Sequence, residues 1–245
     1  MTTHVHLQIQ RYFLSRELEG GDFSCSGKVL DVQKAIQDKI LDTSFPCVAA
    51  KASVNTQCYA FGLYGELSSE ESTLALAEDL SKFIHDQDKM DSNFTTFIAT
   101  FKTASLSEMD FESKLWQQLC ALHASDDQPY SKEVSADPEH AQFGFSFGGR
   151  AFFVIGLHPN SSRLARTFPF VILVFNAHRQ FQALRDAQRF ERMQQVIRSR
   201  DVALQGSLNP NLADYGQITE ARQYSGRAVE SDWQAPFPRC PFGHG

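Results

Sequence analysis

Apolar positions between residues 143 and 178 fall into three blocks of strand length, and the rest of the chain is patterned around them. Phe143, Phe145 and Phe147 alternate with small or polar residues, and Gly148 and Gly149 then offer the positive φ angles of a tight hairpin. Residues 151–157 and 168–175 are nearly unbroken apolar runs, the pattern of strands covered on both faces at the centre of a sheet. Between them lies the polar stretch HPNSSRLAR, residues 158–166. Loops held on a rigid sheet are where sites are usually built. His158 is the first polar side chain to leave the core strand, so it is expected to face a cofactor or substrate.

Elsewhere the period changes. Val29, Val32, Ile36 and Ile40 form one helical stripe over residues 29–41, and Pro46 ends it, with a short strand expected just after. Residues 58–64 and 94–101 read as further strands. Two helices are expected behind capping boxes: Ser68 with Glu71, and Ser107 with Asp110. Residues 125–138, polar and with two prolines, predict a surface loop or lid, and residues 179–205 one long amphipathic helix ended by Gly206. Residues 1–27 are expected to be an arm with weak structure. The irregular segment after residue 207 carries Tyr224, Trp233, Phe237 and Phe242 among its prolines, so it is expected to pack back over the body. With no repeat and no low-complexity linker, residues 28–245 read as one α+β domain: a central mixed or antiparallel sheet flanked by helices.

Composition narrows the class. At 42% apolar and 21% charged, with 21 Phe, the 245 residues have ample material for a core. No apolar run approaches the ~20 residues of a membrane span, and no secretory signal pattern opens the chain. Five cysteines without a CxxC pair point to reduced thiols in a cytoplasm. The net charge of −6 argues against nucleic-acid or anionic-membrane binding. Yet residues 157–200 hold eight Arg, no Lys and only two acids, giving +6 there and −12 elsewhere. Arg without Lys suits forked hydrogen bonding to carboxylate or phosphate. For Arg185, Arg189 and Arg192, at helical spacing, a solvated helix face explains the charge as well.

No HExxH motif, zinc-spaced His pair or P-loop is present, and GFSFGG lacks the nucleophile-elbow spacing. What remains is His158, with His178 at the end of the next apolar run, and Cys240 between Arg239 and Pro241. Arg163 and Arg166 would clamp an anionic group, unless ion pairs within the chain use them. Glu66, Asp214 and Glu220 are the acids nearest irregular segments and are candidates to hold a cationic substrate.

The segments FPCVAAK at 45–51, FGFSFGGRAFFVIGLHPNSSRLAR at 143–166, FPFVILVFNAHRQFQALR at 168–185, EARQYSGR at 220–227 and PRCPF at 238–242 resemble the YqcI/YcgG family, in particular its haem-dependent guanidine N-hydroxylases. The likeness covers roughly residues 28–242. It implies an enzyme that binds haem b and uses O2 and electrons to hydroxylate a guanidine nitrogen of arginine or an arginine-derived small molecule. An electron donor or reductase would be its partner, and a homodimer is compatible with it. As axial ligand the residues rank His158 first, Cys240 second and His178 third. Arg163, Arg166 or Arg222 would meet the propionates, and Ser161, Ser162 and Tyr224 would donate hydrogen bonds on the distal side. The competing expectation is a non-catalytic haem-binding sensor or carrier, which would leave arginine-like compounds unchanged.

Overall fold

The structure, a computed structural model, describes residues 11–18, 27–92, 94–212 and 216–238. Six strands form one mixed sheet in the order β1-β2-β3-β6-β5-β4: β1 Tyr12–Leu14, β2 Tyr59–Tyr64, β3 Thr96–Phe101, β4 Phe145–Phe147, β5 Arg150–Leu157 and β6 Val171–Ala177. The β2–β3 pair is parallel and the other pairs are antiparallel. Among the described residues, seven α-helices flank it: α1 Ser15–Leu18, α2 Gly27–Leu41, α3 Val48–Asn55, α4 Glu70–Gln87, α5 Glu108–Ser125, α6 His178–Asp186 and α7 Phe190–Gln205. The fold is α+β, a single sheet with helices around it. No helix among the described residues is long and apolar enough to cross a membrane.

The pleat divides the apolar strand residues between two cores. On one face Phe97, Ala99, Val154, Leu173 and Phe175 pack with α4 and α5 through Leu76, Leu80, Phe83, Phe111, Leu115 and Leu119. On the other, Phe61, Ile98, Leu157 and Ile172 meet Val32 and Ile36 of α2 and Val54 of α3. Double coverage is why β3, β5 and β6 read as apolar runs rather than alternations. Gly156 lets α5 approach: a Cβ there would lie 2.6 Å from Cε1 of Phe111.

Several elements depart from the sequence expectation. Residues 48–55 are helix α3, not a strand. Cys47 caps it in an extended conformation, its Sγ accepting from the Ala50 N–H, and the following Ala and Lys favour helix. The cap of α4 is Ser69, whose Oγ accepts from Ser72 N–H, while Ser68 sits at φ 68°. The second capping box stands as read: Ser107 Oγ accepts from Asp110 N–H at 3.1 Å. The long helix is broken into α6 and α7. Gln188 adopts φ 55°, and Gln188 N–H and Arg189 N–H turn back to the carbonyls of Arg185 and Leu184, a Schellman closure formed without glycine. Part of the N-terminal arm is ordered as β1 and α1, because Phe13 and Leu14 are buried against the sheet.

The C-terminal segment does pack back. Strand β4 pairs only with Arg150, Ala151 and Phe152 of β5, so the remaining edge of β5 is open. A short 3-10 helix, Glu220–Gln223, and Tyr224 cover it, with Gly156 N–H donating to the Tyr224 carbonyl at 2.7 Å. Arg227 pins the segment to α5 through two bonds to Glu112, at 3.0 and 3.1 Å, and Trp233 Nε1 donates to the same carboxylate at 3.0 Å.

Candidate functional site

Three rows of side chains cross the sheet on the face away from α5: Thr96–Asn176–Phe153, Ile98–Val174–Ile155 and Thr100–Ile172–Leu157. Members of all three rows floor a cavity of ≈ 280 Å³, roofed by α2, α3, α6 and α7 and by the 158–168 loop. An adjoining pocket of ≈ 140 Å³ is lined by His178, Arg185, Ile218 and Glu220. The two share Phe153, Phe181, Phe190, Gln194, Leu212 and Gln223. As one cleft they come within the ~300–1,000 Å³ usual for small-molecule sites, mostly apolar with a few polar groups.

In the smaller pocket His178, the first residue of α6, places Nε2 2.9 Å from Oε2 of Glu220. The other carboxylate oxygen accepts from the Tyr224 hydroxyl at 2.6 Å, and that hydroxyl accepts from Phe145 N–H at 3.1 Å. Burial and the neighbouring Glu220 carboxylate push the Tyr224 phenol well above its ordinary range, so it stays protonated. A carboxylate has roughly four acceptor positions, so Glu220 retains capacity for a ligand N–H. His178, Glu220 and Tyr224 were each singled out in the sequence; the fold joins them into one chain of hydrogen bonds.

His158 is elsewhere. It follows Leu157, which faces the cavity, so strand alternation turns the imidazole to the opposite side. There it stacks on Phe111 of α5 with ring centroids 4.3 Å apart, and its buried Nδ1 has no hydrogen-bond partner among the described residues. Burial pulls its pKa down, against the pull of Glu108, and favours the neutral ring. The expectation that it would meet the cavity is therefore not met, and the reason is parity along the strand.

The loop's other residues act mainly as ties. Asn160 donates to Ser105 Oγ and to the Leu106 carbonyl, and Ser162 donates to Glu108 from both N and Oγ. Ser161 Oγ accepts from Arg163 N–H. Neither serine lines the cleft. Arg163 borders the cavity but is ion-paired with buried Asp201 at 2.5 Å, the competing use that the sequence allowed. Arg166 also borders it and donates to the carbonyls of Gly156, Gln223 and Tyr224 at 3.1, 3.0 and 3.4 Å. It has no carboxylate partner among the described residues. Burial lowers its pKa to about 10, against the opposing pull of Cys47 and Asp201. Arg222 instead holds the C-terminal segment, donating to the carbonyls of Trp233 and Glu230 and lying over the Trp233 ring. Glu66 is exposed in the turn after β2 and lines neither pocket. Asp214 and Cys240 lie outside the described residues.

Two cavity residues escaped the sequence reading. Cys47 borders it at the head of α3. Burial pushes its thiol up, against the N–H groups of Ala50 and Ala49 and the Arg166 guanidinium. The signal was present in FPCVAAK, but a strand assignment hid the helix cap. Gln180 of α6 is 3% exposed, borders the cavity, and has no hydrogen bond among the described residues. Among those residues no three His, Cys, Asp or Glu side chains group as a metal site.

The model of the YqcI/YcgG family matches residues 36–238. The chain belongs to the YqcI/YcgG family. It is 28% identical to the "uncharacterized protein YcgG" of Bacillus subtilis (strain 168) over 210 residues, covering 82% of this chain and 81% of that protein. It is 26% identical to the "uncharacterized protein YqcI" of the same organism over 242 residues, 94% of this chain and 93% of the relative. No solved structure matches it. The family match takes in the whole sheet from β2 to β4 and both parts of the cleft.

Proposed function

We propose that the protein is a haem-dependent oxygenase that N-hydroxylates a guanidine group of arginine or an arginine-derived small molecule, with O2 and an electron donor. It would belong to the guanidine N-hydroxylase branch of its family. The observation that carries the reading is the joining of an apolar cavity to a pocket that presents a carboxylate. The residues suit haem: an apolar floor made by Ile98, Ile155, Ile172 and Val174, a soft donor in Cys47, and Lys39 and Arg166 as cations at the border for propionates. Haem, when bound, supplies the activation of dioxygen; the protein supplies binding, orientation and a dry setting.

Glu220 is the group that a guanidinium would seek, through forked charge-assisted hydrogen bonds. His178, on the same carboxylate, is placed to take or hold a proton, and Tyr224 keeps the carboxylate oriented. The amides of Gln194 and Gln223, which border both pockets, offer further polar contacts to the substrate's remainder. Cytoplasmic residence accompanies the proposal, since five cysteines without a CxxC pair fit a reducing compartment.

The test is reconstitution of the full chain with haem, followed by arginine and cyclic guanidines with a reductant and oxygen. A stoichiometric Soret band and a product heavier by one oxygen are expected. Protein that takes up no stoichiometric haem overturns the proposal. Haem uptake with every guanidine returned unchanged would point instead to a sensor or carrier.

A further inference from the structure

Three features of the large cavity stand unexplained by packing. Cys47 sits at the N-cap of α3 with Sγ toward the Ala50 N–H, 3.5 Å away, and borders the cavity. Arg166 borders the same space as a cation whose hydrogen bonds among the described residues all go to main-chain carbonyls. A buried charge without a paired counter-charge is costly, and Cys47 and Asp201 are the acidic groups whose charge would favour the Arg166 cation. Gln180 of α6 also borders the cavity, is 3% exposed and has no hydrogen bond among the described residues.

We infer that the Cys47 thiolate is the chain's donor to the iron of the haem placed in this cavity by the proposed function, on which the inference rests, with Arg166 as its counter-charge. On binding, the thiol releases its proton to water and sulfur donates a lone pair; nothing is oxidised or reduced. The α3 N-terminus favours negative charge on sulfur, and the Ala50 N–H is already in place to bond it. The porphyrin would lie along the apolar rows of β3, β5 and β6. Gln180 would then turn its amide toward the ligand side of the cavity, and His178 and Glu220 remain free for substrate.

The test reads the absorption spectrum of the full haem-loaded chain after reduction and exposure to carbon monoxide. Thiolate ligation gives a strongly red-shifted Soret band that imidazole ligation does not. Wild type should show it, Cys47→Ser should lose it, and His178→Ala and Cys120→Ser should keep it. Serine retains the cap on α3, so Cys47→Ser is expected to fold, and circular dichroism checks that. Arg166→Leu should lower the red-shifted fraction and Arg166→Lys restore it, which a purely structural arginine would not do. If wild type binds haem but lacks the shift, or Cys47→Ser retains it, the assignment is wrong while the haem reading survives. If wild type binds no stoichiometric haem, both fall together.

Discussion

His178 Nε2 and Glu220 Oε2 lie 2.9 Å apart across 42 positions of sequence. His178 stands where β6 becomes α6, and Glu220 begins the short helix that seals the open edge of β5. The two meet because β5 and β6 are neighbours. The pocket's carboxylate is thus fixed by the same C-terminal segment that completes the sheet.

Glu220→Gln keeps the shape of that pocket and removes its charge. Affinity of the haem-loaded protein for arginine-type guanidines is expected to fall roughly ten- to a hundredfold, the loss of a charge-assisted bond of about 1.5–3 kcal/mol. Calorimetric titration measures it. Unchanged affinity would remove Glu220 from the site.

The Arg163–Asp201 pair ties the loop to α7 with both side chains under a tenth exposed. Arg163→Ala leaves a buried carboxylate alone and should cost about 3–5 kcal/mol in urea unfolding. Arg163→Met with Asp201→Leu should recover most of that. A loss below about 1 kcal/mol for Arg163→Ala would show that the pair matters little to the fold.

Acid weakens the hold of Arg227 on Glu230. Hydrogen bonds from Arg227 depress the Glu230 carboxyl from 4.5 to about 2 in the folded chain. A depressed carboxyl contributes stability above its unfolded value, and this contribution is lost as pH falls from 4.5 toward about 2. Glu230→Gln should flatten that part of the stability profile and leave it unchanged near neutrality in shape. Parallel acid melts of the two proteins decide the matter.

Gly156→Ala pushes a methyl group to 2.6 Å from the buried Phe111 ring. Overpacking of this kind costs about 1–3 kcal/mol, seen as a lowered Tm. Phe111→Leu in the same chain should return part of the loss. If Gly156→Ala melts like wild type, α5 does not press on β5 as described.

The sequence carried the fold class and most elements, because double burial of β3, β5 and β6 writes itself as apolar runs and the helices as 3.6-residue stripes. Ser107 with Asp110 announced a cap, and the aromatic residues of the tail announced its docking. Misreadings arose where one local feature outweighed a pattern. Pro46 followed by apolar residues resembled a strand, although Cys47 can cap a helix; and no glycine marked the break at Gln188.

What the chain alone determined is thus the inventory: one α+β body, a Phe-rich core, and His178, Arg166, Glu220 and Tyr224 as residues with chemistry to offer. Tertiary structure decided which of them meet. A single step of strand parity sent His158 to Phe111 and Leu157 to the cavity, and pairing of β5 with β6 joined His178 to Glu220. Local spacing governs which side of an element a residue occupies, but contact across tens of residues depends on sheet order, which short-range pattern does not encode.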